Sequence, residues 1–185
     1  IKELELEITK TCATVLLSGI YTDTGQFRHA NKETFSAASD LAKEGADPQE
    51  VINMLDSERP MIQKTTFLKA AQRMKWRQEG KWLIAQSIVG SFESGSARLL
   101  IVLGADIALV ASGNKKGEMR ISTRASNRIV SEGFNLTKIL EEITEINGGS
   151  AGGHPGAAGY NGKGDPEAIS EIARQKCVDS IRQLP

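Results

Sequence analysis

The sequence predicts an α/β protein in which a helical first part is followed by a smaller α/β domain, whose mixed β-sheet is flanked by helices. In residues 81–181, short apolar runs alternate with segments of helical spacing, and one return strand follows a hairpin turn. This order is typical of a sheet covered by helices. Before residue 58, by contrast, consecutive segments have the features of helices. The predicted fold class follows from this change along the chain.

The first part contains three predicted helices. Residues 11–20 form a small, uniformly apolar run that predicts a buried helix, and a polar loop is expected at residues 21–29. Thr34 is the expected cap of a second helix, which ends near Gly45. Residues 47–50, Asp-Pro-Gln-Glu, predict the start of a third helix, because Asp caps a helix, Pro suits its first position and Glu follows three residues after the cap.

A charged segment separates the two parts. Glu58-Arg59-Pro60 breaks the helical spacing, and Pro60 is the only proline between Pro48 and Pro155. We place the boundary near residues 56–62, which gives domains at 1–58 and 59–185. The elements expected beyond it are a helix at 62–76, a strand at 81–89, a helix at 93–103, strands at 107–111 and 119–125 joined by a turn at 113–117, a helix at 136–146, and a last helix that begins at Asp165-Pro166-Glu167.

Composition limits the class of protein. Lys+Arg and Asp+Glu both number 23, so the balanced charge argues against a strongly basic, non-specific nucleic-acid binder but leaves room for a few well-placed arginines. Cys12 and Cys177 are expected to be buried thiols rather than a disulfide, which favours a cytoplasmic protein. No apolar run approaches the roughly 18 residues of a membrane span. The start in mid-pattern, without an initiator Met, suggests a fragment of a longer protein.

The stretch 148–159 is the first candidate site. It contains six glycines, and consecutive small residues expose backbone N–H groups that suit an anion. His154 is the single imidazole in this stretch and could donate to a phosphate oxygen or transfer a proton. A ligand-binding loop is favoured over a flexible linker, because a linker has no use for a lone His-Pro.

Two further stretches could carry chemistry. Asp23 follows an apolar segment and suits a hard divalent metal, but on local sequence alone a simple turn is the favoured explanation of Asp-x-Gly. On the strand 120–126, alternation places Ser122, Arg124 and Ser126 on one face together with Arg120. Hydroxyls beside a guanidinium suit a phosphate or a carboxylate, and the alternative is the solvent-exposed face of an edge strand.

Together the three stretches resemble the DHH phosphoesterase family, named for its Asp-His-His motif, with its DHH-associated C-terminal domain. Residues 152–159 are similar to the glycine-rich signature of that domain. Residues 120–126 are similar to its Ser-x-Arg-Ser strand, with Ala125 inserted. Residues 13–28 are similar to the last motif of the catalytic domain.

The resemblance implies a metal-dependent hydrolase of phosphodiester or phosphomonoester bonds in short oligonucleotides, single-stranded nucleic acids or nucleotides. Two divalent metals are implied, Mn²⁺ or Mg²⁺, with Asp23 as one ligand. His154 is implied as a catalytic group. Substrate binding is implied for Arg28, Ser122, Arg124, Ser126, Gly152, Gly153, His154, Gly156, Ala157, Ala158 and Gly159. No membrane is expected as a partner, and a homodimer is left open.

The sequence departs from the family at its upstream motifs. Neither Asp-His-His nor any earlier acidic metal-ligand motif is present, and one carboxylate cannot hold two metals. The chain is therefore expected to be the C-terminal part of such an enzyme: a helical remnant of the catalytic domain, then the substrate-binding domain. Most metal ligands would lie outside it, and the chain alone would be inactive. The alternatives are a RecJ-like single-strand exonuclease, a non-catalytic nucleic-acid-binding module and a relative of alanyl-tRNA synthetase editing domains.

Overall fold

Three helices make up the first of two units in the structure, a computed structural model that describes residues 7–55 and 59–184. The units are Ile1–Arg59 and Pro60–Pro185. The helices of the first unit are α1 (Lys10–Asp23), α2 (Lys32–Lys43) and α3 (Pro48–Leu55). The predicted boundary at 56–62 lies partly outside the described residues.

Helix α1 is buried on one side only, so the prediction of a uniformly buried helix was wrong. Ala13 and Leu17 pack in the core of this unit, whereas Val15 is 64% exposed and Leu16 is 40% exposed. The reason is that α2 and α3 cover a single face of α1. The helix also continues through Asp23, where a loop was expected.

The caps of the next two helices follow local hydrogen bonding. The side chain of Asn31 caps α2 by accepting from the N–H of Thr34, and the Thr34 hydroxyl accepts in return from the N–H of Asn31. Thr34 is therefore the third helical residue rather than the cap, as a capping box requires. The predicted start of α3 is confirmed, because Asp47 accepts from the N–H of Gln49 at 2.9 Å.

The second unit is a six-stranded mixed sheet with helices on both faces, as predicted. Its elements are α4 (Met61–Gln72), β1 (Lys75–Glu79), β2 (Trp82–Ile88), α5 (Glu93–Val102), β3 (Ile107–Gly113), β4 (Glu118–Ala125), α6 (Asn127–Ser131), α7 (Leu136–Asn147), β5 (Ser150–His154), β6 (Ala157–Lys163) and α8 (Pro166–Ile181). The strand order is β1-β2-β3-β4-β6-β5. Strands β2 and β3 are parallel, and every other neighbouring pair is antiparallel.

Side chains of the central strand β3 alternate between two separate hydrophobic cores. On β3, Ile107, Leu109 and Ala111 join the larger core with residues of α6, α7 and α8. Ala108 and Val110 point the other way, into a smaller core with residues of α4 and α5. We call these the three-helix face and the two-helix face of the sheet. Because α5 contacts β3 and β4, the two-helix face is left open toward β6 and β5.

The region before β2 differs from the prediction. The helix expected at 62–76 ends at Gln72, and Lys75–Glu79 form an edge strand instead. On α4, Ala70 is fully buried and Leu68 is 71% exposed. A short strand of polar residues lacks the apolar alternation of a half-buried strand, and pairing with β2 supplies the stability that its sequence does not indicate.

The two cysteines lie in different environments. Both are free, Cys177 is buried in the larger core and Cys12 is exposed, so the expectation of two buried thiols holds for Cys177 alone. Burial disfavours the thiolate and raises the pKa of Cys177 to about 12. Each helix within residues 7–55 and 59–184 is too short or too polar to cross a bilayer.

Candidate functional site

The glycine-rich stretch forms a β-hairpin rather than the predicted loop. Strand β5 lies at the edge of the sheet and pairs with β6, and the turn between them is Pro155-Gly156. Two glycines are required by close backbone approach. A Cβ at Gly149 would lie 2.4 Å from the Asn161 carbonyl oxygen, and one at Gly153 would lie 2.3 Å from the Ala157 carbonyl oxygen. Both also have positive φ, which favours glycine.

Strand register brings the predicted residues together on the two-helix face. Residues directly opposite each other in neighbouring strands point to the same side of a sheet. Strand β6 pairs with both β4 and β5, so three rows of side chains cross the three strands. The rows are Arg120, Asn161 and Ser150; Ser122, Gly159 and Gly152; and Arg124, Ala157 and His154.

The middle row forms a low floor between two polar rows. Gly152 and Gly159 have no side chains, and a Cβ built at Gly152 would meet nothing within 4 Å. Ser122 is 6% exposed, and its hydroxyl makes no hydrogen bond within the described residues. A planar group or a phosphate can therefore approach the backbone closely here.

A residue of the neighbouring helix α5 positions the guanidinium of Arg124. Its Nη2 donates to the Ser94 hydroxyl at 3.0 Å, in the first turn of α5. Among the described residues no carboxylate pairs with Arg124, so its charge is available to an anion. His154 is exposed and lies two strands away, at roughly 10 Å between Cα atoms for a strand spacing of about 4.8 Å. An anionic group bound over Ala157 can contact both side chains.

Two predicted substrate-binding residues lie elsewhere in the fold. Strand β4 ends at Ala125, so Ser126 does not share the face of Arg124 and instead donates to Asp106 at 3.2 Å. Ala158 follows Ala157 in β6, so its side chain points to the other side of the sheet, where it is buried in the larger core. The substrate-binding roles of Ser126 and of the Ala158 side chain therefore lose their geometric basis.

Arg128 and Arg98 do not belong to the three rows of side chains. Arg128 donates to Asp106 at 3.3 Å, and its guanidinium lies 4.6 Å from the centre of the Trp82 ring. This cluster is away from the hairpin and stabilises the start of β2. Arg98 is exposed on α5. Gly156 lies in the hairpin turn, where its carbonyl oxygen accepts from the N–H of Ala125 at 2.9 Å.

The predicted metal ligand lies in the first unit. Asp23 is the exposed last residue of α1, and an unusual turn follows in which Gly25, Gln26 and Phe27 all have φ near +60°. Packing of Phe27 against Tyr21 and Phe35 holds this turn, with ring centres 5.5 and 5.6 Å apart. The turn presents the exposed side chains of Arg28 and His29.

The described residues do not complete a metal centre. Within residues 7–55 and 59–184, no group of three or more His, Cys, Asp or Glu side chains is arranged to hold a metal. Asp23 can supply one ligand, and two metals need several. The donor set therefore does not fit a two-metal centre, and no metal-dependent step can be assigned to these residues alone.

Sequence reasoning missed three residues of this surface. Ser94, Ser150 and Asn161 join it only through tertiary packing and strand pairing. Ser94 is one of several polar residues at the start of a helix, and no local signal distinguishes it. Asn161 could have been found from the alternation of β6, if that strand had been recognised.

Comparison with known proteins identifies the second unit. Residues 94–179 match the family described as DHHA1 domain. An uncharacterized protein of Methanocaldococcus jannaschii is 36% identical over 171 residues, which cover 92% of this chain and 51% of that protein.

A solved structure of another protein shares this fold. The crystal structure of an exopolyphosphatase-related protein from Bacteroides fragilis has a TM-score of 0.68 at 18% identity and covers 93% of this chain and 51% of that one. The C-Ala domain of Aquifex aeolicus alanyl-tRNA synthetase has a TM-score of 0.42 at 21% identity, over 54% of this chain and 98% of that domain.

The chain thus spans about half the length of the M. jannaschii and B. fragilis proteins. The predicted DHH-associated C-terminal domain is confirmed for residues 94–179, which match the family described as DHHA1 domain.

Proposed function

We propose that this chain is the substrate-binding part of a metal-dependent phosphoesterase that hydrolyses phosphodiester or phosphomonoester bonds of short oligonucleotides or nucleotides. The observation that carries the proposal is the strand register that places Arg124, His154 and the glycine floor on one open face. A guanidinium, an imidazole and bare backbone recognise phosphate and the flat surface of a base. The balanced net charge favours a short substrate over a long polymer.

Each residue has a defined part in the proposal. Arg124, fixed by Ser94, binds a phosphate, and His154 donates to the same phosphate or transfers a proton at the leaving oxygen. Asp23 contributes one ligand to a pair of divalent metals, Mn²⁺ or Mg²⁺, whose other ligands lie outside this chain. The metals supply the activated water when bound, and these residues bind and orient the phosphate.

Binding to this chain tests the proposal without requiring catalysis. We expect Arg124→Gln to weaken binding of a nucleoside 5′-monophosphate by about 1–3 kcal/mol, the usual value of a hydrogen bond to a charged group. Isothermal titration calorimetry measures the affinity, and circular dichroism checks the fold. Lys138→Gln is the matched control, since Lys138 is exposed on α7 and that helix packs on the three-helix face. Unchanged affinity in a folded Arg124→Gln variant would remove Arg124 from the site.

A non-catalytic nucleic-acid-binding module is the main alternative from another class. It predicts the same binding but no hydrolysis by the intact protein. Turnover of the intact protein on short RNA, single-stranded DNA and pAp with Mn²⁺ separates the two functions. Preference for long single-stranded DNA in that panel would favour the RecJ-like alternative.

A further inference from the structure

A cleft extends the two-helix face beyond the glycine floor, on the side away from the hairpin turn. Its volume is about 760 Å³, and its lining includes Arg120, Asn161 and Lys163. Arg124 and His154 do not line it. Arg120 is directly opposite Asn161 in the sheet, and Lys163 lies two residues further along β6, so all three side chains are on the same face.

The polar side chains of this cleft lack partners. Among the described residues, there is no hydrogen bond or ion pair to the side chains of Arg120, Asn161 and Lys163. Some other basic residues of the second unit are paired, such as Lys81 with Glu132 at 2.8 Å and Arg182 with Glu79 at 2.9 Å. The positive charges of Arg120 and Lys163 are therefore not neutralised by an ion pair.

The one carboxylate that lines the cleft is already engaged. Glu118 accepts from the side-chain amide of Asn114 at 2.7 Å, within the turn between β3 and β4. That turn also carries Lys115 and Lys116, both exposed. Glu118 keeps its charge, and a second carboxylate, Glu93, accepts from the Ser112 hydroxyl in the lining. The basic side chains at this end, Arg120, Lys163, Lys115 and Lys116, outnumber these two carboxylates, so the balance of charge is positive and suits an anion.

The spacing separates this cleft from the Arg124 row. Arg120 and Arg124 are four residues apart on β4, or about 13 Å at roughly 3.4 Å per residue. Between them lies the floor of Gly152 and Gly159. A Cβ at Gly159 would meet only the Ile121 carbonyl oxygen, at 3.6 Å, so the floor is open along its length. A sugar or a base can cross it between two bound phosphates.

We propose that Arg120, Asn161 and Lys163 form a second phosphate subsite, so that the ligand of this face is a short single strand with at least two phosphates rather than a mononucleotide. The inference rests on the function proposed above and specifies its substrate class. Arg120 and Lys163 bind the second phosphate through their charges, and the Asn161 amide donates to it or to the adjacent base. The strand lies along β4, from the His154 row to the cleft.

A ligand series measures the second subsite. The probes are a 5′-mononucleotide and the single-stranded di- and trinucleotide of the same base, each with a 5′-phosphate. We expect this chain to bind the trinucleotide more tightly than the mononucleotide. Arg120→Gln should weaken trinucleotide binding about tenfold, the loss of one charged hydrogen bond, and leave mononucleotide binding unchanged.

Salt dependence provides a second readout. Each phosphate contact on a single strand contributes about 0.7 to the slope of log affinity against log salt. Arg120→Gln should therefore lower the steepness of that slope by about 0.7 for the trinucleotide and not for the mononucleotide. Arg120→Lys keeps the charge and should keep the slope. Lys138→Gln removes one charge from α7 and should change neither ligand's binding.

The outcomes separate the two proposals. Equal effects of Arg120→Gln on the binding of both ligands, or no effect on either, would overturn the second subsite. Weaker binding by the Arg124→Gln variant in the same experiment would still support the first site. If Arg124→Gln also binds every ligand normally, the proposed function fails. Absence of binding by the unsubstituted chain contradicts the proposed function directly.

Discussion

At the scale of single residues, the candidate site depends on side chains that the fold leaves without internal partners. Arg124 is oriented by a neutral hydroxyl, Ser94, and not by a carboxylate. Its charge is therefore held in place but not neutralised. His154 is exposed, and its ring makes no hydrogen bond within the described residues. Residues of this kind contribute little to folding and are suited to contact a ligand.

His154→Ala tests this separation of stability from binding. Because the side chain is exposed and unbonded, we expect the free energy of unfolding to change by less than about 0.5 kcal/mol. Binding of a nucleoside monophosphate should weaken. Thermal unfolding and calorimetric titration of the same samples measure the two effects. A lower melting temperature with retained affinity would make His154 a structural residue.

At the scale of the element, the hairpin uses neighbouring glycines for different purposes. Gly153 has φ of +146°, and backbone atoms of β6 occupy the space of a Cβ there. Gly152 has open space at the same point and contributes to the floor of the candidate site. The same residue type thus allows strand pairing at one position and ligand access at the next.

Gly152→Ala and Gly153→Ala form a matched pair. We expect Gly153→Ala to destabilise the protein by more than about 1 kcal/mol, through backbone strain and displacement of β6. Gly152→Ala should fold normally but weaken nucleotide binding, because its methyl group rises from the floor. Chemical denaturation gives the stabilities and titration gives the affinities. Equal stability of the two variants would contradict the strand geometry described here.

At the scale of the whole molecule, the two units differ in what they can do by themselves. The second unit has two cores, one on each face of its sheet, and carries the candidate phosphate site. The first has a small core and offers Asp23 as one metal ligand. The proposed phosphate binding can thus be tested on this chain, while the proposed hydrolysis needs metal ligands that its described residues do not supply.

We therefore expect no metal-dependent hydrolysis by the 185-residue chain alone. With Mn²⁺ or Mg²⁺, a panel of short RNA, single-stranded DNA and pAp should remain intact, whereas nucleotide binding should be measurable. Asp23→Asn should leave that binding unchanged, since one carboxylate does not hold two metals. Hydrolytic activity that copurifies with the chain and is abolished by a chelator would overturn this expectation.

Much of the fold could be predicted because its sequence patterns are local. The apolar alternation of β3, the caps at Asp47 and Asp165, and the spacing of α7 each specify an element within a few residues. The β5–β6 hairpin could not be recognised in this way. Apart from Tyr160, its strands have none of the β-branched and aromatic residues that are typical of strands, and β4 and α7 lie against it.

The sequence by itself determined the resemblance to the DHH family and the residue types of the candidate site, since a glycine-rich signature, a Ser/Arg strand and the Asp23 segment are specific in combination. Only the tertiary structure decided which of those residues share a surface. In it, Arg124 and His154 lie in one row across three strands, Ser126 donates to Asp106, and the side chain of Ala158 is buried. The physical reason is strand register: alternation fixes the side of each residue within a strand, but which residues of different strands lie opposite each other depends on long-range pairing.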